Sequence, residues 1–265
     1  MVDKRMIFEK TFLRKFDKNI LGKFSYLPSS THSMQASLID NILQIDSNLP
    51  CDMFNILCCN GLTDLSSIHK SVDHFRSKNL PYAFWVGFED EPSWLEAELQ
   101  KLGLLSDEME WAMACDLPRY QEDLDLTHFS VRKVCTQEGI QDLVHIMKKI
   151  FPQHEHEAIE SFYHQSAAHI LLLDSRLLFF IGYEGVNPVS LVSLYFDEGL
   201  ASIFDVIVLP EMRGRGLGKF MTQRAMSEAK TKGFDTCILT ATNDAKQLYQ
   251  KLGFVDVKTM KVYHE

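Results

Sequence analysis

The chain has no apolar run approaching the roughly 18 residues of a membrane-spanning helix, so no span is expected. Its start, Met1-Val2-Asp3-Lys4-Arg5, mixes charges and leads into no apolar stretch ending in small residues, which argues against a secretory leader. Cysteine is sparse and unpatterned. The six, at 51, 58, 59, 115, 135 and 237, form neither a C-x-x-C pair nor a zinc spacing, so reduced thiols in a cytoplasmic protein are expected. Positive charge is in deficit, with 27 Lys and Arg against 36 Asp and Glu and a net charge of −9. That balance argues against a general nucleic-acid binder, and it favours a cationic acceptor such as an amine. The run Gln153-His154-Glu155-His156-Glu157 does not complete H-E-x-x-H, and no metal is expected. What is present is core: 46% hydrophobic and 11% aromatic residues, enough for one large domain or two small ones.

The basic residues gather at one place. Arg213-Gly214-Arg215-Gly216-Leu217-Gly218 follows an apolar run, Ile203 to Leu209, and opens a helix-patterned segment reaching about Thr231. Glycines at alternate positions let backbone N–H groups approach an anion closely, and the helix start adds unpaired donors and a partial positive charge. Arg213, Arg215 and Lys219 supply full charges. The order Arg-x-x-Gly-x-Gly is neither the dinucleotide fingerprint nor a P-loop. Taken alone, the six residues also fit a surface turn with no ligand. A second segment follows about 25 residues later. The apolar strand Thr236 to Ala241 leads into Asn243-Asp244-Ala245-Lys246-Gln247-Leu248-Tyr249-Gln250-Lys251-Leu252-Gly253-Phe254. There Ala245, Leu248, Tyr249 and Leu252 share a helical face, Asn243 is a candidate N-cap, and Gly253 stands at a C-cap position.

Together these motifs resemble the coenzyme A signature and the last helix of the Gcn5-related N-acetyltransferase (GNAT) family. The order of elements expected from Phe129 onward resembles that family too: strand, helix, helix, three strands, turn, helix, strand, helix, strand. The resemblance implies an α/β protein that transfers an acyl group from acetyl-coenzyme A to a primary amine, carried by a small molecule or a peptide. It places Val206, Ile207 and Val208 against the pantetheine arm, with Val206 and Val208 contacting it through their backbone. It also places Gly214, Gly216, Leu217, Gly218 and the three cations around the pyrophosphate, and Asn243 and Tyr249 beside the coenzyme. Tyr249 would protonate the departing thiolate or simply pack on the coenzyme. The family often has a Glu on its fourth strand as base. Here that region offers Ile203, and Asp205, two residues on, is expected on the same strand face. Asp205 is the candidate base, or else it only bonds its neighbours where the strands part. Phe151, His154, Phe162 and Tyr163 would border the acceptor pocket. A coenzyme A-binding sensor or scaffold without turnover remains the alternative.

An internal comparison suggests duplication. Met53 to Cys58 lies 150 positions before Ile203 to Val208, and Gln100 to Leu104 lies 150 before Gln250 to Phe254. In the first copy the phosphate turn reads Thr63-Asp64-Leu65-Ser66-Ser67-Ile68, without glycine or arginine, and Leu99 and Asn55 replace Tyr249 and Asp205. The expectation is therefore two tandem GNAT-like domains, each a mixed, mainly antiparallel twisted sheet flanked by helices. A degenerate copy would span 1–120 and a catalytic copy 128–265, in a monomer or homodimer. The acid-rich segment 118–127 would be the boundary.

Overall fold

The computed structural model describes residues 9–106, 109–120 and 128–265. The reading of Met1 to Arg5 and most of the expected boundary at 118–127 lie outside them. The first half contributes α1 (Lys10–Ser30), β1 (Gln35–Ile39), β2 (Ile42–Asp46), β3 (Ile56–Cys59), α2 (Leu65–Lys78), β4 (Ala83–Val86), α3 (Leu95–Lys101) and β5 (Met109–Asp116). The second contributes β6 (Phe129–Lys133), α4 (Gln137–Ile150), α5 (His156–Ile170), β7 (Leu177–Glu184), β8 (Asn187–Asp197), β9 (Leu200–Val208), α6 (Leu217–Thr231), β10 (Thr236–Ala241), α7 (Asn243–Lys251) and β11 (Val255–Tyr263).

All these strands form one mixed, mainly antiparallel sheet, ordered β1-β2-β3-β4-β11-β5-β10-β9-β8-β7-β6. The succession β3-α2-β4-α3-β5 repeats as β9-α6-β10-α7-β11, and the pairs β3/β4 and β9/β10 are both parallel. The 150-residue offset in the sequence thus corresponds to a repeated succession of elements.

The two copies do not stand side by side as separate sheets. β5 lies between β11 and β10, running antiparallel to both, and β11 pairs antiparallel with β4. Each half therefore sets its last strand against a strand of the other. Alternation along β5 serves both faces. Ala112 and Ala114 pack toward Phe16, Ile20 and Phe24 of α1, while Met113 and Cys115 pack with Leu239, Tyr249 and Leu252.

Helix α1 ties the halves together a second time. Phe16, Ile20, Phe24 and Leu27 recur at spacings of four, four and three and form its buried stripe. Asn19 Nδ2 donates to the carbonyls of Asp197 at 2.8 Å and Leu200 at 3.2 Å, at the turn between β8 and β9. Gly22 lets the helix come this close, because a Cβ there would stand 2.9 Å from both Asp197 Oδ2 and Tyr195 Oη. On the same helix, Asp17 Oδ1 meets Lys258 Nζ of β11 at 2.5 Å and Asp17 Oδ2 accepts the Glu89 N–H at 2.7 Å.

Beside that pair, Glu91 accepts the Gly87 N–H with one oxygen while the other is buried without a partner. Burial, only partly offset by backbone donors, pushes its carboxyl up to about 7 from the ordinary 4.5. A carboxyl whose pKa rises on folding contributes stability that is present below its unfolded pKa and lost as pH climbs through the folded one. Urea titrations should show the wild type losing stability relative to Glu91→Gln between about pH 4.5 and 7. A difference between the two that does not change with pH would contradict the assignment. The exchanged strands generate a second expectation. A fragment spanning 128–265 leaves β10 with an open edge and β11 with no neighbour, so it should aggregate or lose its cooperative transition. A monomeric fragment melting like the whole chain would refute this.

Candidate functional site

The site is opened by one irregularity in β9. The hairpin from β8 to β9 turns through Glu198 and Gly199, both at positive φ, and the strands pair regularly as far as Ser193↔Phe204. The next pair is Leu191↔Ile207, so Asp205 and Val206 stand opposite Val192 alone. This is a β-bulge, and Asp205 sits in it at a φ of 52°. Asp tolerates that left-handed conformation better than most side chains. A bulge bends its strand, and β9 here keeps only the pairs Ala201↔Cys237, Ser202↔Ile238 and Ile203↔Leu239 with β10. Beyond Ile203 the two strands part.

The bulge also corrects an expectation. Asp205 does not share the face of Ile203. Ile203 is buried toward α6 with Val192 and Met221, whereas Asp205 accepts a 2.6 Å bond from Ser193 Oγ and lines a cavity on the opposite face with Phe204 and Phe179. Counting by twos fails because the left-handed residue breaks the alternation. The cavity measures about 770 Å³. The second half lines it with Phe151, Phe162, Tyr163, Asp205, Val206 and Thr240, among others. The first half adds Lys23, Leu27, Phe54, Trp85 and Glu110. Phe54 stacks on Phe162 with centroids 3.8 Å apart, and Tyr163 stands edge-on to both Phe54 and Phe179. Burial raises the Tyr163 hydroxyl well above its usual range, with the Asp205 charge adding to the effect. His154 takes no part in this wall. Its side chain is exposed and lies 3.6 Å from Glu155.

At the far end of β9 the chain passes through Pro210–Met212 to the glycine turn. Gly214 and Gly216 have φ of 76° and 83°, and a Cβ on either would meet nothing within 4 Å. α6 begins at Leu217 with Gly216 as N-cap and no side-chain cap, and Phe220 N, bonded to Gly216 O at 3.0 Å, carries the first bond of its ladder. A helix start without a side-chain cap, open space and positive φ give this turn a shape that fits a pyrophosphate. Of its cations, Arg213 Nε donates to Val208 O at 3.2 Å. Arg215 is drawn to Glu184 at 2.6 Å and lies over the Phe129 ring.

The corresponding turn of the first copy is built differently. α2 starts at Leu65 behind Asp64, whose own carboxylate accepts the Ser67 N–H at 2.8 Å and caps the helix. Leu99 is fully buried in the core. Asn55 is also fully buried, accepting from Ser47 N and Oγ and donating to the carbonyls of Leu49 and Pro81.

Tyr249 lies on α7, 6% exposed, with its ring 6.0 Å from Phe254. Burial, with the Glu110 charge adding, pushes its phenol up to about 12. Asn243 requires a correction: the N-cap is Thr242, whose carbonyl accepts from Ala245 and Lys246. Asn243 is the first helical residue, and its Oδ1 accepts the Trp111 Nε1–H of β5 at 2.6 Å. Gly253 takes the expected left-handed conformation, with a φ of 92°, one position after the C-cap Leu252. The cysteines are all free, and burial raises the thiols of Cys51 and Cys115 to about 12. Cys58, Cys59 and Cys237 are raised further. No group of three metal-ligating side chains occurs among the described residues. No described helix is long and apolar enough to cross a membrane.

Residues 140–254 match the model of the acetyltransferase (GNAT) family. A 66-residue stretch is 35% identical to a [ribosomal protein bS18]-alanine N-acetyltransferase of Haemophilus influenzae, covering 24% of this chain and 45% of the relative. A 60-residue stretch is 35% identical to the uncharacterized N-acetyltransferase ycf52 of Pyropia yezoensis, covering 22% and 34%. The chain spans less than half the length of these curated relatives. A GCN5-related N-acetyltransferase from Kribbella flavida superposes with a TM-score of 0.67 at 14% identity, over 93% of this chain and 96% of that one. A tandem GNAT protein from the clavulanic acid biosynthesis pathway superposes at 0.58 with 10% identity, over 84% and 78%. At such identities the likeness is one of fold, and it extends through both halves. Residues 140–254 thus match the acetyltransferase (GNAT) family model, within a sheet built from two copies of the same succession of elements.

Proposed function

We propose that this protein is an acyl-coenzyme A-dependent N-acyltransferase, moving acetyl to a primary amine by direct attack in a ternary complex. The second half (128–265) would be the catalytic domain and the first (1–120) a degenerate copy that walls the acceptor cavity. The observation that carries this reading is the bulge at Asp205, which opens β9 from β10 between an uncapped helix start and an aromatic cavity. Gly214, Gly216, Leu217, Gly218, Arg213, Arg215 and Lys219 would hold the pyrophosphate. The backbone of Val206, Ile207 and Val208 would hold the pantetheine arm, with Tyr249 and Asn243 beside it. Acetyl-coenzyme A bound there supplies the acyl group as an activated thioester.

An amine with a pKa near 10.4 is neutral in fewer than about one molecule in a thousand at pH 7, a handicap of roughly 4 to 5 kcal/mol. Asp205 faces the cavity, and Ser193 orients its carboxylate. In the reaction a C–N bond forms as the thioester C–S bond breaks. Asp205 takes the amine's proton, directly or through water, and Tyr249 Oη supplies one to the departing sulfur. A phenol held near 12 stays protonated at neutral pH.

Three outcomes test this reading. Gly216→Glu, which brings a carboxylate into the anion site, should abolish coenzyme A binding in calorimetry while circular dichroism is unchanged. Undiminished binding would refute the site. Tyr249→Phe should lower kcat by about 10-fold or more, in the range typical of proton-transfer groups, with near-normal coenzyme affinity. Unchanged kcat would reduce Tyr249 to packing. The wild-type rate should show no descending alkaline limb below about pH 11, since the Tyr249 phenol is still protonated there. A limb near pH 9 would contradict its role as donor. Coenzyme binding with no turnover of any amine would favour a sensor.

A further inference from the structure

The cavity contains a charge that the proposed reaction does not use. Lys23, on α1, lines the cavity with about a fifth of its side chain exposed. Its ammonium stands 4.5 Å from the Phe204 ring centroid and 3.8 Å from Asp205 Oδ2, and among the described residues it makes no hydrogen bond. An ammonium has three donors, and leaving them unmet in a largely desolvated place is costly. The site therefore offers donors to an acceptor atom of whatever fills the cavity.

The remaining walls limit what that can be. Phe54, Phe162, Trp85, Phe179 and Leu27 form a surface suited to a large apolar or aromatic group, and a small polar amine would leave it unfilled. A polyamine would bring a second positive charge toward Lys23. An α-amino acid carries its amine and its carboxylate on one carbon, so its two charges need opposite charges only a few ångströms apart. Lys23 and Asp205 are spaced in that way.

Resting on the transferase reading above, we propose that the acceptor is a free α-amino acid with a large apolar or aromatic side chain. Lys23 binds its carboxylate, Asp205 receives its amine, and the aromatic cavity takes its side chain. In that arrangement Lys23 also disfavours the ammonium form of the bound amine by like-charge repulsion, which helps the nitrogen to attack. The N-terminus of a peptide presents the same amine and side chain but no carboxylate at that carbon.

The test measures thiol release from acetyl-coenzyme A by the full chain with L-phenylalanine, phenethylamine and L-phenylalaninamide. It also measures calorimetric binding of phenylalanine and of phenethylamine to the coenzyme A-saturated protein. A charge-assisted hydrogen bond predicts that kcat/KM for phenylalanine exceeds that for the other two by about 10- to 100-fold. The binding constants should follow the same preference. In Lys23→Met the ratio should fall toward one, and in Lys23→Arg most of it should return. Equal use of phenylalanine and phenethylamine, a preference that survives Lys23→Met, or phenylalaninamide used as well as phenylalanine would overturn the assignment. So would coenzyme A binding with no turnover of any of the three, while leaving the coenzyme site standing. Failure to bind coenzyme A at all would instead overturn the transferase reading on which the assignment rests.

Discussion

The antiparallel pair β5–β11 is the interaction on which the rest of the molecule depends. β5 comes from the first half and gives β10 its second neighbour, while β11 from the second half gives β4 its own. The two copies therefore share a single sheet and cannot separate without each losing an internal strand. Sharing the sheet also fixes the site. Once β10 is held by β5 on one side, the departure of β9 at the Asp205 bulge opens a gap rather than letting the sheet close again. α1, Phe54 and Trp85 of the first half can then be brought against that gap.

Duplication followed by divergence is legible at two helix starts. Both α2 and α6 follow a strand of the parallel pair, so each presents the same unsatisfied donors and the same end of a helix dipole. In α2 a single carboxylate, Asp64, consumes one donor and places negative charge where an anion would lie. In α6 the position before the helix is Gly216, which has no side chain to cap the donors. The cores diverge in the same sense: Leu99 and Asn55 complete packing and hydrogen bonding in the first copy, whereas in the second Asp205 borders the cavity and Tyr249 puts a buried phenol where Leu99 has only an alkyl group. In the first half the corresponding positions complete a helix cap and a core, and the half contributes walls to the cavity.

What could be read in the sequence was what local chemistry decides. Alternating glycines, a mostly apolar run of six and a glycine after a periodic segment signal the turn at 213–218, β10 and the end of α7, because each depends on backbone angles within a few residues. The exchange of β5 and β11 was not legible. The alternation from Met109 to Asp116 says which side chains share a face, not which strand lies alongside. The face of Asp205 was misread for a related reason: a count by twos assumes a regular strand, and the hint of a bulge was only an aspartate that accepts positive φ. Ser193, a polar residue in the apolar run of β8, was the available sign of a bonded partner. Asn243 was placed one position early because Thr242 and Asn243 both suit a cap. Lys23 lies far from Asp205 in sequence and meets it only because Asn19 and Gly22 seat α1 on the β8–β9 turn.

Amide hydrogen exchange with and without coenzyme A tests the central claim most directly, namely that one of two equivalent strand–turn–helix units binds an anion-bearing coenzyme and the other only supports it. Protection should rise across 204–208 and 213–220, with no change across 56–68. Equal protection of both segments, protection confined to the first half, or none at either would contradict the account.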